Sequence, residues 1–170
     1  THAAEFMADR GDIVCLDHSP QRLNLVAQNA RRLGLQCLRG VGGKAERIEF
    51  KRTFDRILAD APCSGLGVMR RHPDAKWRKG PELIGTMARQ QAAILAHLSQ
   101  FVKPDGLLLY ITCSTEAEEN QHIVKEFLAS HPGYELETVA RNLPDAARVF
   151  AQPEGWLQTW PGPEGLDGFF

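Results

Sequence analysis

The hydrophobic residues of this chain form short apolar runs that alternate with longer segments of helical periodicity. The run from Asp12 to Asp17 contains β-branched residues and predicts a strand. The next segment predicts a helix, because Ser19 is a favoured N-cap, Pro20 suits the first turn and Gly34 ends the pattern. A short strand is expected near Gln36 to Arg39.

The second half of the chain repeats this alternation. The segment from Gly40 to Arg52 is polar and rich in glycine, which predicts mostly loop, and Phe54 to Asp60 predicts the next strand. Apolar residues at helical spacing predict a long helix from Pro81 to Phe101. KPDG then predicts a turn into the strand LLLYIT, and Thr115 with Glu118 predicts the capping box of another helix.

Strands that alternate with helices through short connections predict an α/β fold, with a parallel sheet and helices on both faces. A chain of 170 residues fits one domain, so residues 1–170 are expected to form it. The Pro- and Gly-rich tail from Gln152 to Gly168 predicts a loop before a last strand. Ligands of such sheets bind beyond the carboxyl ends of the strands. Four candidate residues follow or end strands there: Asp17, Asp60, Cys63 and Cys113.

Composition narrows the possible functions. Hydrophobic residues make up 43% of the chain and charged residues 24%, which is typical of a globular protein. The formal net charge of -1 means that any surface for nucleic acid must be local. No apolar run approaches the ~20 residues of a membrane helix, and no signal peptide opens the chain. The four cysteines form no CxxC pair, which argues against a metal site or a disulfide framework and favours the reducing cytoplasm.

The cysteines and acids at the strand ends are the first candidates for chemistry. Cys113, in LYITCSTEAEEN, precedes a predicted helix start, where partial positive charge favours a thiolate. A lone cysteine is more often a small buried apolar side chain, but Cys63 in DAPCSG gives a second thiol at a strand end. Asp17 is placed either to hold a ribose hydroxyl or to cap the next helix, and Asp60 either to face a ligand or to cap a turn.

A local cluster of cations follows DAPCSG in an otherwise nearly neutral chain. Such a cluster is often only a solvated charged surface, but beside a pair of thiols it favours contacts to RNA phosphates, with Trp77 available for stacking. Its members are Arg70, Arg71, His72, Lys76, Arg78 and Lys79.

The motifs DAPCSGLGVMRRHPDAKW and LYITCSTEAEEN resemble the paired cysteine motifs of RNA cytosine-5 methyltransferases, which use S-adenosylmethionine. RRHPD and the following KW are most similar to the bacterial Sun/Fmu branch, which methylates a cytosine of small-subunit (16S-type) ribosomal RNA. The resemblance extends to the terminal DGFF and implies the Rossmann-like fold of class I S-adenosylmethionine-dependent methyltransferases.

The resemblance also implies roles for single residues. Cys113 would be the nucleophile that attacks C6 of the cytosine, and Cys63 would assist the breakdown of the covalent adduct. Asp60 would bind the pyrimidine edge near N3 and the amino group and would belong to the cofactor site as well. Asp17 would hold the cofactor ribose. Arg70, Arg71, His72 and Lys76 would contact RNA.

The chain departs from the family pattern at its start and in its third strand. Thr1 and His2 resemble the residues that follow a glycine-rich DAPGGKT-type loop, so we expect the first strand, that loop and the preceding RNA-binding domain to be missing, and the domain to be truncated at both ends. Val41 stands where relatives place an acid that contacts the adenosine, and valine cannot accept that hydrogen bond.

Two other functions remain open from the sequence. A DNA cytosine-5 methyltransferase has its nucleophile in a Pro-Cys motif like that of Cys63, whereas the TCS motif with Glu119 and Asn120 favours RNA. A non-catalytic RNA-binding module is the second alternative, because of Val41 and the missing loop.

Overall fold

The computed structural model describes residues 1–71, 80, 82–141, 143–163 and 165–170. The chain forms two compact units, Thr1–Lys51 and Arg52–Phe170. Within the described residues, no helix combines the length and the apolar character needed to cross a membrane. The helices and strands are α1 (His2–Phe6), β1 (Ile13–Asp17), α2 (Pro20–Leu33), β2 (Leu38–Gly42), β3 (Phe54–Asp60), α3 (Glu82–Ser99), β4 (Val102–Ile111), α4 (Gln121–Ser130) and α5 (Asp145–Arg148).

In the first unit, β1 and β2 pair in parallel and α2 packs against both strands. The helix has the predicted ends. The hydroxyl of Ser19 accepts a hydrogen bond from the backbone N–H of Arg22, Pro20 occupies the first turn, and Gly34 adopts the left-handed conformation, with φ at 69°. These local predictions are confirmed.

The second strand extends further than the glycine content predicted. β2 runs to Gly42, so Gly40–Gly42 belong to the strand and not to a loop. Pairing with β1 continues through Asp17 and Gly42, and the N–H of Gly43 donates to the carbonyl of Asp17 at 3.1 Å. Hydrogen bonds to the neighbouring strand therefore outweigh the weak intrinsic strand preference of glycine.

In the second unit, β3 pairs in parallel with β4, from Arg56 with Leu107 to Asp60 with Ile111. The turn predicted at KPDG is instead an irregularity inside β4. Phe54 pairs with Val102 before the shift, and Asp105 takes a positive φ of 61° within it. The strand thus begins earlier than predicted, because its first residue also finds a partner on β3.

The long helix α3 is shorter than predicted at its C-terminus, where it ends at Ser99, and Pro81 lies outside the described residues. Leu95 of α3 packs with Ile123 and Phe127 of α4 in a buried core. Leu108 and Tyr110 of β4 pack against the same core, so the strand that leads to Cys113 is held from one side by two helices.

The capping box predicted at Thr115 and Glu118 is wrong. The Thr115 hydroxyl donates to the Glu116 carboxylate at 3.1 Å, a short 3₁₀ turn covers Ala117–Glu119, and α4 begins only at Gln121. The preceding segment is drawn inward by the burial of Glu119, which delays the start of the helix.

The tail is a loop over the described part of Gln152 to Gly168, as predicted, but the last strand predicted after it does not form, and the end of the chain instead pairs with residues near the cysteines. Phe170 and Thr112 exchange two backbone hydrogen bonds of 3.1 Å, and the N–H of Gly168 donates to the carbonyl of Gly67 at 2.8 Å. The residues that follow β3 and β4 are therefore covered by the C-terminal segment.

Candidate active site around two cysteines

Two thiols lie side by side where the paired strands β3 and β4 end. The Sγ atoms of Cys63 and Cys113 are 3.0 Å apart, and the N–H of Cys113 donates to Cys63 Sγ at 3.3 Å. Both side chains are half-buried and neither forms a disulfide. Parallel pairing up to Asp60 and Ile111 brings the two following loops together, as the positions of the motifs at strand ends predicted.

The neighbouring thiol of Cys113 raises the pKa of Cys63. The hydrogen bond with Cys113 is the largest cause that raises the pKa of Cys63, and burial adds to it. Cys63 is therefore a thiol at neutral pH. The predicted helix start beside Cys113 is wrong, because α4 begins at Gln121, so the helix terminus gives Cys113 no adjacent positive charge.

The raised pKa of Cys63 predicts a pH dependence of its alkylation. Iodoacetamide reacts with the thiolate, so Cys63 should react only above the ordinary thiol range of about 8.5. In Cys113→Ser the largest cause of the shift is gone, and the midpoint of alkylation should move to lower pH. Peptide mass spectrometry across pH measures both midpoints.

Cys15 is the internal control for this experiment. Burial is the main cause that raises its pKa, so its midpoint should be the same in both proteins. An unchanged Cys63 midpoint in Cys113→Ser would show that the two thiols do not share a proton in the way that the geometry indicates.

A buried carboxylate accepts hydrogen bonds from the loops that carry the two thiols. Glu119 has no exposed surface, and its Oε1 accepts the backbone N–H of Ser64 at 2.7 Å and Nε2 of Gln91 at 3.1 Å. Its Oε2 accepts the hydroxyls of Ser64 and Ser114, the latter at 2.6 Å. Ser64 follows Cys63 and Ser114 follows Cys113, so one carboxylate joins both cysteine loops.

The backbone around Glu119 is fixed by further buried groups. Asn120 accepts from the Thr112 hydroxyl at 2.5 Å and donates to the Ser114 carbonyl at 2.9 Å. The Tyr110 hydroxyl donates to the Glu119 carbonyl at 2.6 Å. These hydrogen bonds connect the residues that precede Cys113 with those that follow it, and they connect both to β4.

The local sequence pattern predicts no separate role for this carboxylate. Three glutamates, Glu116, Glu118 and Glu119, follow Cys113 closely, and no local pattern shows which of them is buried. One signal was available, because each motif cysteine is followed directly by a serine, in CSG and in CST. A repeated hydroxyl beside each thiol indicates a shared acceptor.

The two predicted acids occupy strand ends, as expected. Asp60 is the last residue of β3 and is exposed. Asp17 ends β1 in the first unit, where its Oδ1 accepts the N–H of Ser19 at 2.8 Å and its Oδ2 lies 2.8 Å from Arg22 Nε. The backbone hydrogen bond from Ser19 is the largest cause that lowers the pKa of Asp17. Val41 lies in β2 opposite Leu16 and has no polar side-chain atom to offer.

The described cations of the predicted RNA-binding cluster contact the C-terminal tail. Arg71 Nε lies 2.6 Å from Oδ2 of the buried Asp167, and Arg70 Nη2 donates to the Gly165 carbonyl at 2.5 Å. Both arginine side chains remain more than half exposed, at 53% for Arg70 and 67% for Arg71. The other members, with Trp77, lie outside the described residues: His72, Lys76, Arg78 and Lys79.

The described residues contain no group of three or more His, Cys, Asp or Glu side chains that could hold a metal ion.

The whole chain matches the model of a known protein family. The model of the family described as 16S rRNA methyltransferase RsmB/F matches residues 1–170. The chain is 38% identical to a probable ribosomal RNA small subunit methyltransferase B of Bacillus subtilis, over 99% of the chain and 38% of that protein. It is 41% identical to ribosomal RNA small subunit methyltransferase B of Klebsiella pneumoniae, over 100% of the chain and 37% of that protein.

Solved structures agree with the predicted α/β class. The crystal structure of NSun6 from Pyrococcus horikoshii with SFG matches with a TM-score of 0.83 and 28% identity, over 99% of this chain and 42% of that one. The chain thus spans less than half the length of each of these three proteins.

Proposed function

The chain belongs to the 16S rRNA methyltransferase RsmB/F family, and we propose that it forms part of the catalytic domain of an enzyme that methylates C5 of a cytosine in small-subunit ribosomal RNA. The observation that carries the proposal is the pair of free thiols, 3.0 Å apart, at the ends of two parallel strands. Ribosomal RNA as substrate places the reaction in the cytoplasm.

The first step is the addition of the Cys113 thiolate to C6 of the cytosine. C5 of cytosine is a poor carbon nucleophile, and the new S–C6 bond makes the ring enamine-like, so that covalent catalysis divides a difficult step into easier ones. Bound S-adenosylmethionine supplies an electrophilic methyl group for C5. The C5 proton must then leave while the S–C6 bond breaks.

The state of Cys63 changes during this sequence. Before attack, its hydrogen bond and charge interaction with Cys113 keep Cys63 protonated. Once the Cys113 sulfur is bonded to C6 it carries no negative charge, so the main reason for the raised pKa of Cys63 is removed. Cys63 can then lose its proton to solvent and accept the C5 proton, which releases Cys113 as a thiolate.

Asp60 and Asp17 are proposed to bind the cytosine and the cofactor. Asp60, exposed at the end of β3, holds the pyrimidine edge near N3 and the amino group and borders the cofactor. Asp17 suits a ribose hydroxyl, because a carboxylate has about four acceptor positions and Asp17 uses one for the Ser19 N–H and one for Arg22, with His18 lying further away at 3.7 Å. Val41 supplies no polar contact to the adenosine.

The proposed function has a direct test. The full-length protein, S-adenosylmethionine with a labelled methyl group, and small-subunit ribosomal RNA, naked or in the 30S particle, should give label on C5 of a cytosine. The same assay with duplex DNA should give none. Methylation of DNA alone, or binding of RNA without methyl transfer to either RNA form, would contradict the proposal.

The exposed guanidinium groups of Arg70 and Arg71 are proposed to contact phosphates, together with His72 and Lys76. Replacing both arginines with alanine should lower RNA affinity and reduce the slope of log K against log salt by about 1 for each phosphate that the variant no longer neutralises. Affinity for S-adenosylmethionine should hardly change. Filter binding at several salt concentrations measures the slope.

Two controls separate RNA binding from support of the tail. Lys103→Ala removes an exposed cation that pairs with Asp55 at 2.8 Å, and should leave the slope unchanged. Asp167→Asn weakens the ion pair with Arg71 but keeps both cations, and should retain RNA binding. If the slope stays the same in the double arginine variant, Arg70 and Arg71 support the C-terminal tail and do not contact phosphates.

A further inference from the structure

The two cysteine loops share one buried acceptor, the Glu119 carboxylate. Two donors come from Ser64, one from Ser114 and one from Gln91 of α3, so that two donors point at each oxygen. All four donors are neutral groups. A buried carboxylate needs such hydrogen bonds to remain in the interior, and the same hydrogen bonds hold the two loops in place.

The link from this carboxylate to the thiols is short. Ser64 and Ser114 each adjoin a cysteine, and their hydroxyls lie 3.2 Å apart on Oε2 of Glu119. Without this acceptor, the loops would keep the hydrogen bond between the two hydroxyls, the contacts of Cys63 with Cys113 and the hydrogen bond from the Gly67 N–H to the Cys113 carbonyl, but they would lose their charge-assisted hydrogen bonds to a common carboxylate.

We propose that Glu119 is a positioning residue, whose carboxylate holds the loops of Cys63 and Cys113 at the separation that lets both thiols act on one base. This inference rests on the proposed function, since that function uses both thiols. Its carboxylate acts through Ser64 and Ser114, the residues that directly follow the two cysteines.

The test measures the proximity of the thiols without methyl transfer. Diamide oxidises two neighbouring thiols to a disulfide and is itself reduced to the hydrazine, so the rate of Cys63–Cys113 crosslinking reports how often the sulfurs meet. Peptide mass spectrometry of the full-length protein identifies that disulfide specifically. Crosslinking is measured below the melting temperature of each variant, so that a slower rate reflects the positions of the two thiols and not unfolding of the protein.

In Glu119→Gln, which keeps the side-chain volume, the crosslinking rate should fall about tenfold because charge-assisted hydrogen bonds to both loops are replaced by weaker ones. The kcat of methyl transfer should fall as well, while the KM for S-adenosylmethionine stays the same. Tyr110→Phe is the matched control: it removes a hydrogen bond to the Glu119 carbonyl but none to its carboxylate, so its crosslinking rate should match the wild type.

Other results either contradict the positioning role of Glu119 or call for a second variant. An unchanged crosslinking rate in folded Glu119→Gln, or an equal fall in Tyr110→Phe, overturns it. If Glu119→Gln does not fold, the double variant with Ser64→Ala and Ser114→Ala replaces it in the test. This variant removes both hydroxyl links, while Glu119 keeps its hydrogen bonds from the Ser64 N–H and from Gln91. Absence of methyl transfer in the wild type would refute the proposed function and leave the crosslinking result intact.

Discussion

Replacing Cys113 with alanine should abolish both methyl transfer and the covalent protein–RNA complex. In the proposed mechanism the S–C6 bond forms at the Cys113 thiol, and Cys63 serves only to accept the C5 proton. The expected loss is complete within the sensitivity of the assay, because the proposed mechanism has no second nucleophile.

Replacing Cys63 with alanine should have the opposite effect on the covalent complex. Attack by Cys113 and methyl transfer can proceed, but the C5 proton has no thiolate to accept it, so the adduct should accumulate. A denaturing gel of the full-length protein with S-adenosylmethionine and target RNA shows the shifted band. Cys15→Ala serves as the control and should behave as the wild type.

The same gel distinguishes the two possible nucleophiles. An adduct that accumulates in Cys113→Ala and is missing in Cys63→Ala would reverse the roles and favour the arrangement of DNA cytosine-5 methyltransferases. Accumulation in neither variant would mean that the second thiol is not needed for release.

The second large effect is expected at Gly67, where the loop after Cys63 meets the C-terminal tail. A Cβ at this position would lie 2.0 Å from the carbonyl oxygen of Gly168, which is backbone and cannot rotate away. Gly67→Ala should therefore displace the tail and lower the free energy of unfolding by about 3 kcal/mol, at the upper end of the usual cost of over-packing. Chemical denaturation measures this change.

The substitution Gly67→Ala should also disturb the candidate active site. The N–H of Gly67 donates to the Cys113 carbonyl at 3.0 Å, and its carbonyl accepts the N–H of Gly168. We expect hydrogen exchange at the amides of Gly168 and Phe170 to accelerate, and methyl transfer to fall.

Gly133→Ala is the matched control for this substitution. A Cβ at Gly133 would have no atom within 4 Å, and Gly133 is not among the positive-φ residues, so its stability should change little. Equal stability of Gly67→Ala and Gly133→Ala would show that the tail does not pack closely against the cysteine loop.

The sequence by itself determined the elements whose signals are local. The N-cap at Ser19 and the C-terminal Gly34 fixed α2 because helix ends are satisfied by residues within one turn. The apolar run from Phe54 to Asp60 fixed β3, and the place of each cysteine motif after a strand indicated that the thiols would share one edge of a sheet. These features depend on spacing along the chain, which the sequence shows directly.

The tertiary structure alone decided how residues distant in sequence are paired. It selected Glu119 for burial over Glu116 and Glu118, because only donors from Ser64, Ser114 and Gln91 together satisfy its carboxylate. It also made KPDG part of β4 and delayed α4, contrary to the local turn and capping signals. Burial of a charged group depends on partners from separate segments, and no local pattern contains that information.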